Sequence, residues 1–282
     1  MNPPPRRGLA GRIGLSLAAV ALIFAFWQGL VVATGLPRYV LPPPTAALGA
    51  IVHDWPTLSA LLLQTLGETV YGYLIGAALG FVLAVAMAQL PIVQRLIYPA
   101  LITSQAVPIV AIAAPLAIIF GFGMLPKLIV VAWIVFFPVA VSVLDGLASV
   151  DRDLLNLARV LGGTHLRMFL TIRLPACVGP LFSGLKIGAS YAVTGAVIGE
   201  WTASSSVGLG TFLLTANAQM NTPGVYGAML LLTAIGIGSF LVVLGIEVLA
   251  TPWRWRADQP RWLRRRIDLA CPVTSNRIGA RP

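Results

Sequence analysis

Long apolar runs separated by short polar gaps organise this chain. Six of them stand out, at about 13–34, 58–90, 97–120, 125–147, 176–199 and 225–250. A helix rises about 1.5 Å per residue and a bilayer core is about 30 Å thick, so about 20 apolar residues cross it. Each run is long enough, and the pattern predicts about six transmembrane helices. The first begins after Arg6, Arg7 and Arg12. It is too long for a signal-peptide core and no small-x-small cleavage site follows, so an uncleaved first span is expected. Arg6-Arg7 could open a twin-arginine signal, but a plain anchor is the simpler reading.

Two gaps are too patterned to be plain connectors. The gap at 36–57 holds Pro37, Pro42, Pro43, Pro44 and Pro56 and predicts an extended stretch followed by a short helix at the surface. The other reads DRDLLNLARVLGGTHLRMFLTIRLP, from Asp151 to Pro175. Asp151 suits a helix N-cap. Leu154, Leu157, Ala158 and Leu161 follow at i, i+3, i+4 and i+7, one apolar stripe. Gly162 and Gly163 suit a left-handed stop. Thr164 can cap a second short helix with Leu166, Phe169 and Leu170 on one face, and Pro175 marks the start of the fifth span. An apolar stripe outside the bilayer must be covered, by its own bundle or by a partner.

Composition agrees with the pattern. The chain of 282 residues is 58% hydrophobic and 10% charged, against about 25% charged in a soluble domain. Charge then supplies orientation. Of 19 lysines and arginines, sixteen fall in one set of segments: three before the first run, Arg95 after the second, four in 151–175 and eight in the tail. The opposite set holds only Arg38 and Lys127, and Lys186 lies inside the fifth run. This is the positive-inside pattern and places both termini in the cytoplasm. The expected organisation is a cytoplasmic segment 1–12, a membrane domain 13–250 with the cytoplasmic loop 151–175, and a basic cytoplasmic tail 251–282. In that tail Trp253, Trp255 and Trp262 beside arginines suit the headgroup layer. The formal net charge of +10 gathers in these gaps rather than among aromatics in a groove, which argues against nucleic acid.

Candidate chemistry is sparse. His53 and His165 are isolated, so no metal site is expected. Cys177 and Cys271 both fall on the cytoplasmic side, and no disulfide is expected. Nine acids scattered over the chain offer no catalytic cluster. Gly72, Gly76 and Gly80, then Gly184 and Gly188, and Gly195 and Gly199, recur at four-residue spacing and suit close helix packing. Pro108, Pro115 and Pro138 can bend their helices, or simply reflect the commonness of proline in membrane spans. Ser104 and Gln105 are polar at membrane depth, where such residues usually face a bundle interior. Glu200 and Trp201, with Thr202 and Ser204 to Ser206, end the fifth run. They suit a pathway wall, interfacial anchors, or contact with an outside protein. Glu68, Glu247 and Lys186 are each placed to snorkel.

The 151–175 loop resembles the EAA loop of permeases from binding-protein-dependent ABC importers: EAA, three residues, glycine, nine residues, isoleucine, one residue, leucine-proline. Ala158, Gly162, Ile172, Leu174 and Pro175 match. Asn156 and Leu157 depart from the first two positions. The resemblance runs from about Leu41 to Trp255. LPPPTAAL, QTLGETVYGYLIGAALG, TSQAVPIVAIAAPLAIIFGFG and FFPVAVSVLDGL resemble the nitrate, sulfonate, taurine and thiamine-pyrimidine branch of the MetI-like, type I permeases. SQAVPI and GEWTASSSVGLGTFLLTANAQMNT are most similar to permeases for the thiamine-precursor pyrimidine.

The resemblance implies an all-α membrane permease subunit of an importer in the bacterial inner membrane, paired with a second copy as a homodimer. It implies two copies of an ATP-binding subunit and an external substrate-binding protein as partners. Asp153, Leu154, Leu157, Ala158, Gly162, Ile172, Leu174 and Pro175 would carry the coupling to that ATPase. The chain would be no enzyme and hold no cofactor, with ATP used by the partner. A P-loop needs a Gly-Lys pair, and the two lysines follow Pro126 and Leu185. Sulfonate, taurine, nitrate or riboflavin-like solutes are the alternative cargoes, and an ion-coupled secondary transporter is the alternative of another class. The latter usually carries midplane ionisable groups and inverted repeats.

Overall fold

The computed structural model describes residues 9–35, 37, 39–202 and 208–252. Arg6, Arg7, Arg38, Ser204, Ser205, Ser206, Cys271 and the tail from 253 lie outside them. Among the described residues the secondary structure is helical throughout. In chain order the helices are α1 (Leu9–Thr34), α2 (Pro44–His53), α3 (Trp55–Gln89), α4 (Pro91–Ser104), α5 (Ile109–Phe120), α6 (Met124–Ala148), α7 (Arg152–Val160), α8 (His165–Met168), α9 (Leu174–Thr202), α10 (Leu209–Ala218) and α11 (Thr222–Ala250). A π-helical turn, Phe169–Arg173, joins α8 to α9.

Among the described residues, four helices pass as long and apolar enough to cross a bilayer: α3, α6, α11 and the continuous rod His165–Thr202 that contains α9. They coincide with the second, fourth, sixth and fifth apolar runs. α1, 26 residues long, stands in the place of the first. The third expected span is not one rod. It divides into α4 and α5, bent by 100°. Pro108 precedes α5 with extended backbone at φ −59° and ψ 124°. It lacks an N–H, and its ring pushes Val107 away from helical geometry, so the helix cannot continue through 105–108.

α6 is the axis of the bundle. α3 lies along one side of it and α9 along the other, and both approach through glycine. A Cβ at Gly76 would stand 2.6 Å from the Ala132 carbonyl oxygen, and one at Gly80 2.5 Å from that of Phe136. On the other side a Cβ at Gly184 would stand 2.8 Å from the Pro138 carbonyl, and one at Gly195 2.9 Å from Cα of Val131. Gly72 and Gly188 face Val131 and Val135 of the same helix. Lipid tails are as apolar as leucine, so helices gain from dispersion at short range, and the missing side chains permit that range. Val131, Val135, Val139 and Val143 of α6 are fully buried between the two glycine faces.

Candidate functional site

Both ends of the bundle are specialised, and one carries the arginine-rich loop. There α7 starts at Asp151, whose carboxylate accepts from the Asp153 N–H at 2.9 Å. It ends in a Schellman motif. Gly162 takes φ +82°, and its N–H donates to Arg159 O at 2.9 Å while Gly163 N–H donates to Ala158 O at 2.9 Å. These bonds satisfy carbonyls the helix end would otherwise leave open. Thr164 caps α8, its hydroxyl accepting from Arg167 N–H at 3.4 Å.

The second short helix does not stay separate. It runs through the π turn into α9, because Pro175 has no N–H and its ring crowds the carbonyl four residues earlier, so the turn widens. Its expected face also splits: Phe169 is buried, together with Met168, which that face omitted, whereas Leu166 and Leu170 are exposed. On α7 the inward residue is Leu155, one the stripe omitted. Leu154, Leu157 and Leu161 of that stripe stay exposed, Leu161 at 78%. Asp153 is exposed, Ala158, Ile172 and Leu174 are half-buried, and Pro175 is exposed. The bundle therefore leaves an apolar ridge on α7 uncovered.

In the half of the bundle away from that loop, α5, α9 and α11 border an open cavity of about 660 Å³. Val110 of α5 forms one wall. Ser190, Thr194 and Trp201 of α9, with Thr233 and Phe240 of α11, line the others, among aliphatic side chains. Among the described residues, no charged side chain lines it. The Ser190 hydroxyl donates to Lys186 O at 3.3 Å and the Thr233 hydroxyl to Met229 O at 2.8 Å. With their protons held by their own helices, these hydroxyls turn lone pairs toward the cavity. Ser190, Thr194 and Trp201 share one helical face, a pattern visible in the sequence but missed there because serine and threonine hide easily in an apolar helix.

The candidate path residues separate. Trp201 lines the cavity, with its indole N–H donated to Gly210 O at 2.9 Å. Gln105 is exposed at the α4–α5 break, and Ser104 beside it is half-buried with its hydroxyl on Leu101 O at 2.7 Å. Glu200 does not face the cavity. It is fully buried and receives the N-terminus of α10: Gly210 N–H at 2.6 Å, Thr211 N–H at 3.1 Å and the Thr65 hydroxyl at 2.6 Å. A carboxylate at a helix N-terminus satisfies open donors and meets the positive end of the helix dipole. Glu200 is thus the anchor of α10.

The three residues expected to snorkel are paired instead. Glu68 Oε1 accepts from Lys127 Nζ at 2.8 Å, with both side chains fully buried. Lys127 is therefore an inward residue of α6 and no loop cation. Lys186 Nζ meets Glu247 Oε2 at 2.7 Å, joining α9 to α11. A charge at membrane depth is costly alone, and pairing relieves the cost. The described residues contain no cluster of metal-ligating side chains.

Comparison with known proteins adds the lineage. The family model described as "binding-protein-dependent transport system inner membrane component" matches residues 72–255. A probable ABC transporter permease protein of Haemophilus influenzae is 34% identical over 78% of this chain and 90% of its own length. The formylaminopyrimidine transport permease protein ThiX of Halalkalibacterium halodurans is 30% identical over 83% of this chain and 93% of its own. The riboflavin transport system permease protein RibX of Chloroflexus aurantiacus is 30% identical over 82% and 87%.

Proposed function

Because the chain belongs to the family of binding-protein-dependent inner membrane transport components, and is the permease subunit of an ABC importer, we propose that it carries an amino-substituted pyrimidine, a thiamine precursor. Permeases of this kind work with an ATPase subunit, which hydrolyses the ATP, and with a substrate-binding protein. In this reading the membrane is the bacterial inner membrane and the 151–175 loop is cytoplasmic. Two copies of the chain set their cavities face to face to form the path, and one ATPase subunit docks on the exposed ridge of each α7.

The lining of the cavity carries the substrate reading. Trp201 and Phe240 offer aromatic faces to a flat ring, and Ser190 and Thr233 offer lone pairs to amino hydrogens. A sulfonate or nitrate would meet those lone pairs with a negative charge and find no cation in the wall, at a cost in affinity. A flat neutral heterocycle matches both features, and by their names two of the relatives carry such heterocycles.

The test is reconstitution in proteoliposomes with the ATPase and the binding protein. ATP-dependent uptake of labelled 4-amino-5-hydroxymethyl-2-methylpyrimidine is expected, unaffected by excess taurine and by collapse of ion gradients. Uptake of taurine or riboflavin in its place would overturn the substrate. Uptake that persists without ATP and follows an ion gradient would overturn the importer.

A further inference from the structure

Among the described residues, two ion pairs cross the interior of this bundle, and they differ in kind. Glu68–Lys127 is sealed, with both side chains at 0% exposure. Lys186–Glu247 is ajar, with Lys186 at 20% and Glu247 at 9%. The sealed pair ties α3 to the central α6. The open pair lies under the cavity. Along α11, Thr233, Phe240 and Glu247 follow at seven-residue spacing, close to two full turns each, so all three share one face. Along α9, Lys186 is one turn before Ser190 on the same side. Glu247 therefore stands about 10 Å beyond Phe240 toward the arginine-rich loop. The charged bridge thus lies one to two turns beyond the cavity lining, on the side of the arginine-rich loop.

The two helices joined by that bridge are held unequally. α9 is fastened to α6 through Gly184, Gly188, Gly195 and Gly199, and to α3 through the Tyr73 hydroxyl, which donates to Leu185 O at 3.2 Å. α11 is the least enclosed of the full spans. Only 11% of its apolar window is buried, against 44% for α6. Within its own chain α11 is thus held less tightly than α9, and its polar tie to that more rigid neighbour is the natural place to break and remake a contact.

We infer that Lys186 and Glu247 form the gate at the inner end of the cavity, a charged latch that parts to let the solute leave toward the loop side. This rests on the cavity being part of the path, and not on the identity of the solute. With the latch closed, the ammonium and carboxylate neutralise each other and no charge is presented to the cavity. As α11 swings from α9 the two charges separate and draw in water, wetting the exit for a polar solute.

The test uses the assembled importer in proteoliposomes. Spin labels at Ile187 and Val248, exposed neighbours of the latch, are introduced with Cys177→Ala and Cys271→Ser. The label-to-label distance is expected to lengthen by several ångström between the resting importer and the complex trapped with ATP and vanadate, or the reverse if the resting state is the open one. In parallel Lys186→Glu, which sets two carboxylates together, is expected to lower uptake at least about tenfold, and Lys186→Glu/Glu247→Lys to recover most of it. An unchanged distance through the ATP cycle, or wild-type uptake by Lys186→Glu, overturns the gate. If the swapped chain does not recover, the distance measurement on the native pair decides. Uptake is read on whichever solute the importer carries, so a wrong pyrimidine assignment leaves this test intact. Failure of the gate likewise leaves the cavity assignment standing.

Discussion

Glu68 shows what a single buried charge demands. Its Oε1 accepts from Lys127 Nζ at 2.8 Å and Gln64 Nε2 at 2.9 Å, while its buried Oε2 has no hydrogen-bond partner among the described residues. Removing the lysine leaves the carboxylate uncompensated in a low-dielectric interior. Lys127→Met is therefore expected to destabilise the folded bundle by about 3–5 kcal/mol, whereas Lys127→Met/Glu68→Gln, which removes both charges, loses much less. Thermal unfolding of the detergent-solubilised protein checks the order of the two variants. If the double variant is the less stable, the pair is a net source of stability. Such residues were opaque in the sequence for a physical reason. Glu68 and Lys127 are 59 positions apart, and Lys186 and Glu247 are 61 apart. No local period links them, so Glu68, Lys186 and Glu247 taken singly looked like side chains reaching for the membrane surface, and Lys127 like a cation of the outer gap. Glu200 misled for a related reason, because the helix N-terminus it serves belongs to another helix, beginning at Leu209.

Elements were read more faithfully where the governing physics is local. Apolar run length sets a span, Asp151 and Thr164 set caps, and Gly162 sets a left-handed stop, all within a few residues of one another. The third run was the exception. Mean hydropathy is blind to direction, so an apolar stretch that turns through 100° at Pro108 scores the same as a straight one. The glycine faces were legible as packing surfaces, though not their shared target. Both clasp α6, which leaves no room for a larger side chain. Gly76→Leu would drive its side chain into the Ala132 backbone, and Gly184→Leu into that of Pro138. Each is expected to cost about 1–3 kcal/mol or more through overpacking. Gly238→Leu, at a glycine with nothing within 4 Å of its added Cβ, should cost far less. Melting temperatures of the three variants test that ranking. Equal losses would mean that the clasp is not what holds α3 and α9 to α6.

At the scale of the whole molecule, the loop and the cavity are joined by one continuous piece. From His165 to Thr202 the chain is a single rod of 38 residues, about 57 Å long. It begins under α7, lines the cavity with Ser190 and Thr194, and ends at the Glu200 anchor of α10. A push on the loop is carried to the cavity by a helix already fixed in direction. The weak link is the junction between α7 and that rod, which consists of Leu161, Gly162, Gly163 and Thr164. Gly162 sits at φ +82° and donates its N–H to Arg159. Proline at this position cannot adopt that φ and has no N–H to donate. Gly162→Pro is thus expected to break the geometry of the junction without touching any span. Ala158→Arg places a long cation on the half-buried side of the same short helix. Both variants should insert and melt like the parent, bind the ATPase subunit weakly or out of register, and lose ATP-driven uptake by at least about tenfold, the scale of a 1.4 kcal/mol change in a coupling step. Membrane insertion, ATPase rate and uptake measured on the same preparations separate these effects. Insertion retained with uptake lost is the signature of a severed coupling element. Normal uptake by either variant would show that the exposed ridge of α7 is not where the motor takes hold.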